Sequence, residues 1–195
     1  MSLAADMSTI PPTPPDVTAP PDNNGLRLKE LYKWKQVDFT FPSATARTAA
    51  IASGDFVPES ALPLGLDVWR ERIFVTLPKW KGGIPATLAT VPRFPNGNSS
   101  PPLKPFPDWS WHRSQSQLLE GNGSSCDRLT SVFRINIDSC GRLWILDAGV
   151  VKVLTDFKVL CPPQIFVFDL NTDTLLMRYV IPKNQVRAKD LNFNV

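Results

Sequence analysis

The side chains of this 195-residue chain with chemistry to offer are few: three cysteines, one histidine, some acidic strand ends and a tryptophan set between lysines. His112 stands between Trp111 and Arg113 with no cysteine or carboxylate cluster beside it, so it reads as a packing or surface residue rather than a base or ligand. Cys126, Cys140 and Cys161 are an odd set, and none of their spacings resembles the CxxC pairs of a zinc site. A nucleophile elbow, a phosphate loop and a dinucleotide fingerprint are all missing from the sequence, so neither a metal nor a cofactor is expected.

Two residues are candidates for holding a small ligand. Trp80 lies in the turn PKWKGG between Lys79 and Lys81, where an exposed indole could stack on an aromatic ligand or meet a cation. The alternative is that it packs among strands, as large aromatics usually do. Asp147 ends a strand, as Asp138 does, and an acid there could line the mouth of a channel. It could equally close the turn by accepting backbone hydrogen bonds. Asn98 and Asn122 open the triplets Asn98-Ser99-Ser100 and Asn122-Gly123-Ser124, which are acceptor motifs for N-glycosylation in polar loops; Pro101 counts against the first.

The elements that must position these groups are short and β-rich. Between Cys126 and Ile181 four runs stand out, Ser131 to Asp138, Arg142 to Leu146, Gln164 to Leu170 and Thr174 to Ile181. Turn residues at 138 to 141 and 169 to 173 make hairpins of the outer pairs. Ile165-Phe166-Val167-Phe168 is apolar at consecutive positions and needs cover on both faces, which neighbouring blades of a β-propeller supply. A buried strand of an α/β sheet would look alike, but no amphipathic helix of adequate length separates the runs. Upstream, Gly65 to Trp69, Arg72 to Leu77 and Ala86 to Val91 read as three strands of an earlier blade, with Trp109 to Gln115 as its outer strand beyond the Pro-rich run 92 to 107. Leu31 to Phe39 alternates like a strand, and Ala44 to Ser53 is the one helix candidate, stopped by Gly54.

The runs CDRLTSVFRINIDSCGRLWILDAG and CPPQIFVFDL resemble the Yellow/major royal jelly protein family of insects. So do KWKQVDFTFPS, AAIASGDFVPE, LPLGLDVW and RIFVTLPKWKGGIPATLATV, in family order from about Leu26 to Ile181. The resemblance implies an all-β, secreted, six-bladed propeller of four-stranded antiparallel blades, about twice this length, set in pigmentation and cuticle melanisation. On that reading residues 26 to 195 are the first blades, about two of six. Such a piece, with open sheet edges and faces, is expected to be unstable or aggregation-prone as a monomer.

Blade topology bears on the cysteines. The approaches to a blade's first and third strands share one end, and the turn between its first two strands lies at the other, so Cys126 pairs with Cys161 and Cys140 stays apart. The alternative, three reduced and buried thiols, stays open. Residues 1 to 25 hold six prolines and no lysine or arginine, which predicts a disordered tail. They contain neither the basic stretch nor the apolar run of a signal peptide, although the family is exported. A net charge of +3, dispersed along the chain, argues against nucleic acid or a membrane surface as partner. The resemblance leaves two functions: a pocket that binds a small aromatic amine or catechol, or an enzyme converting dopachrome. The sequence supplies no base for a tautomerisation, which favours binding.

Overall fold

A computed structural model describes residues 29–113 and 126–186, and the chain divides between residues 30 and 31, so the fold below is that of the second unit, from Leu31 on. The expected tail at residues 1 to 25, Asn122 and the end of the expected strand at Gln115 lie outside the described residues.

Two four-stranded antiparallel sheets dominate, as adjacent blades of a partial β-propeller. The first runs β1 (Leu66–Trp69), β2 (Arg72–Thr76), β3 (Leu88–Pro92) and β4 (Lys104–Pro105), each paired with the next. In the second, β5 (Val132–Ile137) and β6 (Arg142–Asp147) are followed by a small hairpin of β7 (Val150–Val151) and β8 (Lys158–Val159). The sheet then resumes with β9 (Gln164–Asp169) and β10 (Thr174–Val180), in the order β10-β9-β6-β5. The hairpin turns use left-handed backbone where the sequence offers it, at Gly141 with φ 73° and Asp173 with φ 56°.

Alternation along β2 explains how the first sheet is covered twice. Phe74 points into a core shared with the second sheet, where Leu88 and Phe106 meet Leu143, Ile145, Phe166 and Phe168. Ile73 and Val75 point the other way, into a core closed by Val37, Phe39 and Phe56. Trp111 and Phe106 set their rings at steep angles to Phe168, with centroids 4.9 and 5.5 Å away, a geometry that adds about 0.5–1.5 kcal/mol per pair to simple burial. On its other face the second sheet leaves Leu146, Met177 and Tyr179 exposed.

Polar ties also cross between the blades. Arg72 grips both carboxylate oxygens of Asp173 at 2.7 and 2.9 Å and the carbonyl of Leu170 at 2.9 Å. Asp67 on β1 accepts the backbone N–H of Ile137 at 2.6 Å, and Thr87 accepts that of Val132 at 2.7 Å.

Three expectations change. The outer strand of the first sheet is β4, inside the Pro-rich run, and Trp109–Trp111 is a 3-10 turn capped by Asp108, which accepts the Ser110 N–H at 2.6 Å. Proline is tolerated on an edge strand because only one side of that strand is paired. Leu31 to Phe39 is not a strand; its alternation records burial, with Val37 and Phe39 inward, while its links to the loop before β4 amount to one bridge, Phe39 with Leu103, and a few bonds such as Lys33 N–H to Ser99 O at 2.8 Å. Between the second and third runs of the later blade, where the sequence reading placed no strand, the chain carries the β7–β8 hairpin. The helix matches its expected place, as α1 (Ala44–Ala52), with the Ser43 hydroxyl accepting the Ala46 N–H at 3.0 Å and Gly54 ending it at φ 75°.

Candidate functional site

The loop between β2 and β3, the approach to β5 and the exit from β6 meet at one end of the two blades. Lys79, Trp80, Thr87, Ser131 and Asp147 gather there. The backbone N–H of Lys79 donates to the Ser131 hydroxyl at 3.0 Å, and the Ser131 N–H donates to Asp147 Oδ1 at 2.9 Å. Two hydrogen bonds through Ser131 therefore join the loop of Trp80 to Asp147.

Asp147 is wholly buried. Its carboxylate accepts three backbone N–H groups, Thr130 at 2.6 Å, Ser131 at 2.9 Å and Gly149 at 2.9 Å. Burial pushes its pKa up; the three N–H donors and the positive charge of Lys79 pull it back. Gly149 is obligatory here: φ is 68°, and a Cβ would stand 2.1 Å from the carbonyl oxygen of Cys161. Through the N–H groups of Leu160 and Cys161, which donate to Gly149 O, the carboxylate is coupled to the Cys126–Cys161 disulfide, whose Cα atoms are 5.7 Å apart. Cys140 is free and exposed in the turn at the other end, beside Asp138.

Lys79 reads in sequence as a surface neighbour of Trp80, yet only 3% of it is exposed. Its ammonium donates to the carbonyls of Ile84 at 2.7 Å and Arg113 at 2.9 Å, tying the loop to a segment 34 residues away. Burial lowers its pKa to about 8, and Asp147 and Asp55 oppose that shift. No sequence signal marks this role, because the acceptors are backbone atoms.

Trp80 is half-buried, with its ring edge-on to Phe133 at 5.0 Å. Its indole N–H is buried and finds no hydrogen-bond partner among the described residues. Asp138 belongs to the opposite end and serves its turn. It accepts from Trp144 Nε1 at 2.9 Å and from the N–H groups of Cys140 and Arg142, contacts that draw its carboxyl down to about 2. Asn98 is exposed in the loop between β3 and β4.

His112 caps the 3-10 turn rather than standing on an outer strand. Buried to 8% exposure, it accepts the Thr87 N–H at Nδ1, 3.4 Å away, and its Nε2 lies 3.0 Å from the carbonyl of Phe106, which assigns the proton to Nε2. Desolvation, then the charge of Lys79, lowers its pKa from 6.5 to about 3. The unfolded state therefore takes up a proton first as pH falls below 6.5, so this stability is present above 6.5 and lost toward 3. Between about pH 7.5 and about pH 5 the loss is about 2 kcal/mol. Urea unfolding of the parent and of His112→Gln at both pH values should show their difference shrinking by that amount; a constant difference would mean that the ring takes up its proton in the fold as readily as in the unfolded chain.

Comparison with known proteins places the chain. Residues 130–194 match the family described as Major royal jelly protein. A dopaminechrome tautomerase of Drosophila melanogaster is 41% identical over 169 residues, 87% of this chain and 35% of the relative. Protein yellow of Drosophila erecta is 43% identical over 156 residues, 80% of this chain and 27% of that protein. The chain belongs to the Yellow/major royal jelly protein family. It spans about a third of the length of these curated relatives. For a Yellow-family chain, two successive blades sharing an aromatic core are the framework on which the gathered end is built. Among the described residues, no helix is long and apolar enough to cross a membrane and no group of three or more acidic, histidine or cysteine side chains could hold a metal ion.

Proposed function

We propose that this chain is part of a secreted Yellow-family protein of insect pigmentation and cuticle melanisation, which binds a small aromatic amine or catechol at the end where Trp80 sits. The observation that carries the reading is the state of the polar groups there. Lys79, His112 and Asp147 are each committed to backbone partners, whereas the indole of Trp80 keeps an unpartnered N–H beside an aromatic wall. A half-buried indole offers a cationic amine a π face. On this reading Asp147 shapes the site without touching the ligand. Export is supported by the disulfide, which persists in oxidising compartments.

A second reading, an enzyme converting an aminochrome of the dopachrome type, is favoured by the 41% identity to a dopaminechrome tautomerase. It requires a group that moves a carbon-bound proton. The buried ionisable side chains described at this end, Lys79, His112 and Asp147, each already hold a backbone partner.

Calorimetric titration of the whole secreted protein with dopamine and serotonin, run beside the decay of dopaminechrome absorbance, separates the two. Saturable heat is expected, with Trp80→Ala weakening affinity about tenfold, about 1.4 kcal/mol, and chromophore decay at its spontaneous rate. Decay faster than that, retained in Trp80→Ala, would replace binding with catalysis elsewhere.

A further inference from the structure

The loop between β3 and β4 carries Asn98-Ser99-Ser100, and every residue from 92 to 100 is exposed. Asn98 is not adrift in it. Its side-chain oxygen accepts the backbone N–H of Ser100 at 2.9 Å, which turns Oδ1 inward, leaves Nδ2 as the free end of the amide, and brings the Ser100 residue back toward it. The loop is held at the middle of the motif by the Lys33 N–H on Ser99 O at 2.8 Å and just after it by Trp34 Nε1 on Pro101 O at 2.8 Å. Pro101 therefore does not prevent the turn; its carbonyl helps anchor it.

Asn98 also borders an open cleft of about 470 Å³, within the range of small-ligand sites. Tyr32 supplies an aromatic wall there, fixed by its hydroxyl donating to Pro92 O at 2.6 Å, while Glu71, Lys104 and Asp173 supply charged groups. A sugar ring has this division of chemistry, with an apolar C–H face and a rim of hydroxyls. The Cys126–Cys161 bridge adds an independent condition, since a chain that acquires a disulfide folds in an oxidising compartment, where glycosyl transfer to secreted chains takes place.

We propose that Asn98 carries an N-linked glycan whose first sugars lie in this cleft. In the transfer, Asn98 Nδ2 attacks the anomeric carbon of an oligosaccharide carried on a lipid diphosphate. The new N–C bond forms as the C–O bond to the diphosphate breaks, the Nδ2 proton passes to a base of the transferase, and the lipid diphosphate departs.

The test is to secrete the whole chain from insect cells behind a cleavable leader and to analyse the peptide bearing Asn98 by mass spectrometry. A glycopeptide is expected, lost in Asn98→Gln and in Ser100→Ala and kept in Ser100→Thr. Recovery of that peptide wholly unmodified from disulfide-bonded, secreted protein overturns the proposal. The cleft is tested by the rate at which a glycosidase releases the glycan from native and from denatured protein. Release from the native chain should be several-fold slower, and Glu71→Ala with Lys104→Ala should bring it toward the denatured rate. Equal native and denatured rates, or a native rate that the double variant leaves alone, place the sugars in solvent and overturn the cleft assignment.

Discussion

Removing the bridge between Cys126 and Cys161, by Cys161→Ser or by reduction, should lower the unfolding free energy by about 4 kcal/mol in the chain-entropy account of a crosslink. The cysteines are 35 residues apart in sequence, and the bridge ties the approach of β5 to the approach of β9. It closes a loop containing β5, β6 and the β7–β8 hairpin, so much of that blade loses its covalent restraint when it is cut. The consequence extends beyond chain entropy, because the Cys161 N–H and the Leu160 N–H both donate to Gly149 O, and Gly149 donates in turn to Asp147. Urea unfolding with and without reductant measures the effect, and Cys140→Ser is the control. Cys140 is free and exposed, so its replacement should change stability by no more than about 0.5 kcal/mol. A Cys140→Ser variant as unstable as Cys161→Ser would mean that the native bridge involves Cys140.

Much of this arrangement was legible because it rests on local signals. The strands of the second blade follow from β-branched and aromatic runs, and their hairpins from residues such as Gly141 and Asp173 that accept left-handed backbone. The apolar run of β9 announced cover on both faces, and the structure gives Phe166 and Phe168 to the shared core while Val167 is buried on the other face. The cysteine pairing was readable for the same reason, since strand order alone decides which ends meet. Illegible parts depend on distant backbone atoms. Lys79 looks like a surface charge until the carbonyls of Ile84 and Arg113 are placed around it, and His112 finds its partners in Thr87 and Phe106. Strands of two residues, such as β4, β7 and β8, are too short to show a period. Leu31 to Phe39 shows the converse error, a period produced by packing against a sheet without joining its ladder.

Asp147→Ala should cost about 3–5 kcal/mol, because it strips the shared acceptor from three buried N–H groups and removes the negative charge that faces a buried ammonium. Asp147→Asn separates the two contributions. An amide keeps one oxygen for the backbone donors but turns an NH2 toward the others and carries no charge, so its cost should fall between the parent and the alanine variant. The ionisation of Lys79 reports the lost charge: with Asp147 neutralised, the ammonium keeps its desolvation and loses the interaction that raises its pKa, so the value moves below about 8. Thermal or urea unfolding gives the first quantity, and NMR titration of the lysine in a stable background gives the second. Ligand titration then decides what the carboxylate is for. If it only holds the chain from Thr130 to Gly149 in place, folded Asp147→Asn binds its ligand within a few-fold of the parent, whereas Trp80→Ala does not. A variant that folds with full stability but loses binding would put Asp147 in contact with the ligand, and the three N–H groups would then belong to a binding site rather than to a turn.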